Sequence, residues 1–145
     1  FVTAGTLSAT GVDGEIDIAG AATVDGGAGV TFNSSGSLDL NGAVSGLSVA
    51  LTGATNLSGT AAGQNNVVFN SALTVDGDAS ASSQNGNVTF ASTVNSDGAD
   101  TRAFEVAALN GTADFQNTVG NAATLNSLTV RASRTEFDNT VQVGT

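Results

Sequence analysis

The chain has 145 residues, the length of one domain or of a stretch of a longer array. It carries Lys+Arg 3 against Asp+Glu 13, a net charge of −10 at pH 7, and has no His, Cys, Met, Trp, Tyr or Pro. These counts exclude Ser-His-Asp and Cys-His nucleophiles and the usual zinc, haem or iron–sulfur sites, and the charge repels nucleic-acid backbones and anionic membranes.

Disorder is disfavoured: 40% of the residues are hydrophobic, 11% are charged and Pro is absent. No run reaches the roughly 18 apolar residues that a membrane span requires, so no membrane insertion is expected. No basic segment leads into an apolar one, so no signal peptide is predicted. A start at Phe1 reads as a processed or excised segment. The acidic, Lys-free, Gly/Thr/Asn-rich balance points to an extracellular or cell-surface location.

From the N-terminus onward the alternation has period two, the mark of strands with one buried face. It appears in Glu15-Ile16-Asp17-Ile18, Val30-Thr31-Phe32, Ser37-Leu38-Asp39-Leu40 and Leu47-Ser48-Val49-Ala50-Leu51. Helix formers are scarce. The pairs Asp13-Gly14, Asp25-Gly26, Asn41-Gly42, Asp76-Gly77, Asp97-Gly98 and Asn110-Gly111 read as tight turns, because such pairs tolerate positive φ. Residues 1–64 thus read as Gly-punctuated β coils without a firm register.

Residues 65–145 repeat more regularly. Val67-Val68-Phe69-Asn70-Ser71-Ala72-Leu73 aligns with Val88-Thr89-Phe90-Ala91-Ser92-Thr93-Val94. Both align with Ala113-Asp114-Phe115-Gln116-Asn117-Thr118-Val119 and with Thr135-Glu136-Phe137-Asp138-Asn139-Thr140-Val141. The Phe spacings are 21, 25 and 22 residues. Val30-Thr31-Phe32-Asn33-Ser34-Ser35 is a looser copy, with its aliphatic displaced to Leu38. Second arms lie at Phe104-Glu105-Val106-Ala107-Ala108-Leu109 and Leu125-Asn126-Ser127-Leu128-Thr129-Val130.

One such unit buries too little apolar surface to offset its ordering entropy, but stacked copies bury one another. The expected fold is all-β, a parallel β-solenoid of about six or seven coils of roughly 22 residues, forming a rod near 30 Å long. Phe69, Phe90, Phe115 and Phe137 would form an internal aromatic ladder. Leu73, Val94, Val119 and Val141 would form an aliphatic one. Ser71, Ser92, Asn117 and Asn139 are a polar ladder at a coil corner or a plain surface strip. An antiparallel β-sandwich is the rival fold, and it leaves the recurring Phe unit unexplained.

The units around Phe90 and Leu125 resemble the β-strand repeats of filamentous-haemagglutinin-like and autotransporter-like bacterial surface adhesins. The resemblance covers residues 65–145 well and 1–64 loosely. It implies a right-handed β-helix, export to the cell surface and a role as stalk, adhesin or matrix component. The expected partners are copies or adjacent repeats of the same polymer, end to end, together with surface glycans or other cells.

Other chemistry is thinner. Asp76-Gly77-Asp78 and Asp97-Gly98-Ala99-Asp100 look like fragments of calcium loops, yet neither carries the spaced set of roughly six to eight oxygens that calcium takes. They read as turn acids with weak calcium affinity at most, so no cofactor is expected. Asp114, Glu136 and Asp138, with Arg102, Arg131 and Arg134, are the candidates for a polysaccharide-cleaving site. Asp114 and Glu136 should stack one coil apart, where Arg131 or Arg134 could relieve their repulsion. Asn33, Asn56, Asn87 and Asn110 head N-glycosylation patterns that chance supplies in such a composition. The expectation is a non-catalytic structural protein. The alternatives are an end-to-end filament subunit and, less favoured, a β-helix enzyme.

Overall fold

A computed structural model describes residues 2–3, 6–11, 14–20, 23–98 and 102–144. Its strands are β1 (Val2–Thr3), β2 (Thr6–Gly11), β3 (Ile16–Ile18), β4 (Thr23–Gly26), β5 (Gly29–Leu40), β6 (Ala43–Leu57) and β7 (Thr60–Phe69). They continue with β8 (Leu73–Val75), β9 (Ala79–Ser83), β10 (Val88–Phe90), β11 (Val94–Ser96), β12 (Ala103–Phe115) and β13 (Ser127–Phe137). The pairings between these strands are parallel, which rules out the sandwich. The fold is a parallel β-solenoid whose main path runs β1-β4-β6-β7-β10-β12-β13.

Each coil has three arms. The Phe arm is the most regular. Its register joins Ala9, Phe32, Leu51, Phe69, Phe90, Phe115 and Phe137 into one column. The register is therefore firm before residue 65, contrary to the expectation from sequence. Leu51 stands where the unit has Phe, and the steps on either side of it are only 19 and 18 residues. A column selects apolar shape, and Leu meets that demand as Phe does.

A second arm carries the aliphatic column. Ile16, Leu38, Thr55 and Leu73 are in register, and Val94, Val119 and Val141 continue it. Thr55 is buried there and donates its hydroxyl to the Gly53 carbonyl at 3.0 Å, so its polar atom is satisfied. The third arm stacks Val24, Val44, Ala61, Ala81, Val106 and Val130. The long strands β5, β6 and β12 turn corners at register shifts between Asn33 and Ser37, Gly46 and Ser48, and Ala108 and Thr112.

These corners alter the reading of the alternation. Leu47 precedes Val49 and Leu51 in phase, yet it lies at the Gly46/Ser48 shift and is 38% exposed. Leu109, beside the Ala108/Thr112 shift, is 57% exposed.

The glycines also differ from expectation. Among the described residues positive φ occurs at Gly53, Gly98 and Gly120, so of the turn pairs above only Asp97-Gly98 has it. Asp25-Gly26 and Asn110-Gly111 lie within strands, and Asp13 falls outside the described residues. What Gly111 provides is room. A Cβ there would sit 2.1 Å from the Gly86 carbonyl oxygen of the coil below. Close approach between coils, not turn handedness, requires it.

Candidate functional site

The stacked columns are the most developed feature of the molecule. Phe69 and Phe90 stack with centroids 5.1 Å apart, Phe90 and Phe115 at 4.7 Å, and Phe115 and Phe137 at 4.8 Å. Interplanar angles are 15° to 21°. The spacing follows the roughly 4.8 Å between hydrogen-bonded strands, which holds the rings in near-parallel contact. Phe104, from the third arm, meets Phe90 edge-on at 5.7 Å. Phe69, Phe90 and Phe115 are fully buried, as are Leu73, Val94 and Val119. Phe137 and Val141 differ, at 43% and 37% exposure, because no described coil covers β13 on its far side.

The four positions considered for a polar ladder do not form an internal one. Ser71 and Ser92 are half-buried, and Asn117 and Asn139 are exposed. Ser71 accepts from the Gly53 amide at 3.1 Å, and Asn117 bonds to the next residue's amide at 2.8 Å. A different polar column spans the coils. Asn66 Oδ1 accepts from the Asn87 amide at 2.9 Å, and Asn87 Oδ1 accepts from the Thr112 amide at 2.9 Å. Both asparagines sit three residues before a Phe, a coincidence the sequence displays and the earlier alignment passed over. Buried serines close other corners. Ser83 Oγ donates to the Asn65 carbonyl and accepts from the Gly86 amide, and Ser34 does likewise with Gly14 and Gly36.

The ionisable groups are spread over the outer faces. Asp114 and Glu136 are register partners, adjacent as expected on the Phe arm. Arg134 pairs with Glu136, and Gln116 donates to Asp114 at 2.8 Å. Arg131 is on the third arm, bound to Glu105 at 2.6 Å. Arg102 grips Asp97 through two bonds of 3.1 and 2.7 Å. The structure therefore gathers Asp114, Glu136 and Arg134 and leaves Arg102 and Arg131 elsewhere. Asp138 follows Phe137 directly and is exposed.

Asp76 and Asp97 occupy matching turns. The Asp76 amide donates to Leu57 and the Asp97 amide to Val75. Burial, aided by the charges of Asp39 and Asp97, pushes the Asp76 carboxyl above its usual value, against its own backbone hydrogen bond and Arg102. Asp76 Oδ1 is buried without a hydrogen-bond partner among the described residues. Asp78 Oδ1 accepts from the Ala103 amide at 3.1 Å, and Asp100 lies outside the described residues. Among the described residues no three acids converge as a metal site would require. On the second arm, Glu15 is raised by its side-chain hydrogen bond with Asp39 and by the charges of Asp39 and Asp17.

A groove of about 510 Å³ runs along the outside of the third arm. Its floor is made of small residues, Ser45, Ala62, Ser82 and Ala107, and its rim includes Leu47, Gln64, Gln84 and Leu109.

Comparison with known protein families, with curated proteins and with solved structures returns no match to this chain.

Proposed function

We propose that this chain is a structural, non-catalytic segment of a secreted or surface-attached bacterial adhesin, stalk or matrix polymer. The observation that carries the reading is the unbroken register of the Phe column from Ala9 to Phe137. Each coil is bonded to the next through backbone hydrogen bonds along one axis, so added coils lengthen the body without redesigning it. A shape that grows along a line holds distant points apart, which is what a stalk does. The low charge and the small residues serve close coil packing rather than a reaction.

Antibodies raised against the chain test this reading. They are expected to label intact cells of the source organism. Labelling that appears only after lysis contradicts it.

A second reading, a subunit stacking end to end into a filament, is favoured by β13. This strand of 11 residues lies at the end of the sheet path, with Phe137, Val141 and Val143 exposed beside it. Unpaired strand edges attract further strands. Unbranched fibres of the purified chain under the electron microscope would support this form. A chain that stays free of fibres and short oligomers at high concentration would contradict it.

A further inference from the structure

The groove on the third arm has an internal symmetry that points to its occupant. Register places Asp25, Ser45, Ala62, Ser82, Ala107 and Arg131 in one outward column, one residue per coil. Two residues further along the chain in the four middle rows, at the corner where the register shifts, stand Leu47, Gln64, Gln84 and Leu109. Read from either end, this second column is the same: Leu, Gln, Gln, Leu. The first column is complementary in the same sense. It starts on an acid, ends on a base, and has Ser or Ala between.

We propose that this face pairs with the same face of a second copy, laterally and antiparallel, about a two-fold axis between the Ala62 and Ser82 rows. Such an axis lies in the interface and perpendicular to the solenoid, so each column faces itself with its coil order reversed. Leu47 then meets Leu109 of the other copy, Gln64 meets Gln84, Ala62 meets Ser82, and Asp25 meets Arg131. All four pairs arise from one operation. A parallel arrangement would instead put acid near acid and base near base.

Several features suit this contact. Leu47 and Leu109 are 38% and 57% exposed, among the few large apolar side chains turned outward. They flank a floor of Ala and Ser, which lets two sheets approach closely while each Leu fills the hollow beside it. The two glutamines at the axis can pair amide to amide, since each has both donors and an acceptor. The Arg131 side chain is 67% exposed and retains donors beyond its bond to Glu105.

The size of the face sets the strength. Six rows at about 4.8 Å, with seven residues of about 3.3 Å across, make roughly 670 Å² per copy. That is the small end of specific interfaces. The pairing is therefore weak for isolated chains, with a dissociation constant on the order of 10–100 µM. It strengthens where many coils or tethered copies lie side by side.

Sedimentation of the purified chain from about 5 µM to 1 mM tests the pairing, over the range where an interface of this size associates. The expected result is a monomer–dimer equilibrium with no larger species. Leu109→Asp should weaken it by about tenfold or more while the far-ultraviolet circular dichroism is unchanged. Asp25→Arg should weaken it several-fold by setting Arg against Arg131. The orientation is read by cross-linking, which is clean because the chain has no Cys. A short bismaleimide should join Leu47→Cys chains to Leu109→Cys chains in a mixture, and should join neither variant to itself.

A chain that remains monomeric throughout, including one that binds an extended peptide or a glycan in the groove instead, overturns the proposal. So does self-cross-linking of Leu47→Cys, which marks a parallel pair. Growth beyond the dimer that ignores Leu109→Asp marks end-to-end stacking and also overturns it. None of these outcomes depends on whether the chain serves as a stalk.

Discussion

Phe90 and Phe137 belong to the same unit and the same column, yet one is 1% exposed and the other 43%. Each is followed four residues later by a valine, Val94 at 1% and Val141 at 37%. The sequence around the two rings is alike. The difference is the number of neighbouring coils: Phe90 lies between Phe69 and Phe115, whereas Phe137 has Phe115 on one side only. Burial in this molecule is a property of the stack and not of the repeat. Stability should therefore divide into a modest term for each coil and a large term for each contact between coils.

The contrast is sharpest in paired substitutions. Phe90→Ala removes a ring packed on both faces and met edge-on by Phe104, and should cost about 3–5 kcal/mol in urea unfolding. Phe137→Ala should cost about 1 kcal/mol, since its transfer and stacking gains are half made. Equal costs would break the comparison. Next in size is Gly111→Ala, where the new Cβ meets the backbone of Gly86 and the coils must part. A loss of about 2–3 kcal/mol is expected, and an unchanged melting temperature would show that the coils are not as close as described.

Asn87→Ala withdraws the acceptor from the Thr112 amide and should cost about 1 kcal/mol. The Thr112 amide proton should also exchange with solvent faster, a site-specific readout. The smallest effect lies at Asp76. Its carboxyl is raised in the folded chain, so the native state holds this proton more tightly than the unfolded state does. Stability from this group is present below the ordinary Asp value and is lost as pH rises through the raised one. Asp76→Asn should therefore stabilise the fold slightly at pH 7, by less than about 1 kcal/mol given solvent screening, seen as a small rise in melting temperature. The gain should fade on acidification through that window. A gain independent of pH would locate the cause outside the carboxylate charge.

Much of the fold is legible where the residue type itself is distinctive. The Phe-centred units of residues 65–145 announce the column, and the stacking of Asp114 on Glu136 follows from aligning them. Before residue 65 the same column is occupied by Ala9 and Leu51 as well as Phe32, and the steps between members are uneven, so no single residue type marks it. Corners are the second obscurity. Alternation predicts which side of a straight strand a residue takes, and it loses phase where the chain bends. Leu47 turns outward for that reason, and with it half of the groove's apolar rim stays hidden from a sequence reading. The asparagine column is a third case. Asn66 and Asn87 were visible at a fixed distance from Phe69 and Phe90, but in a chain rich in Asn only the geometry separates a stacked pair from a coincidence.

The central claim is that equivalent positions of successive coils lie directly over one another in parallel. Disulfide trapping on the outer face of the Phe arm tests it most directly, because Val68, Thr89 and Asp114 are consecutive register partners and the chain has no cysteine of its own. Adjacent parallel strands bring such Cα atoms within the range a disulfide spans, and a two-coil separation does not. Val68→Cys/Thr89→Cys and Thr89→Cys/Asp114→Cys should each close a bond on mild oxidation, while Val68→Cys/Asp114→Cys should stay reduced. Closure of the last pair, or failure of the first two in a folded chain, would contradict the stack.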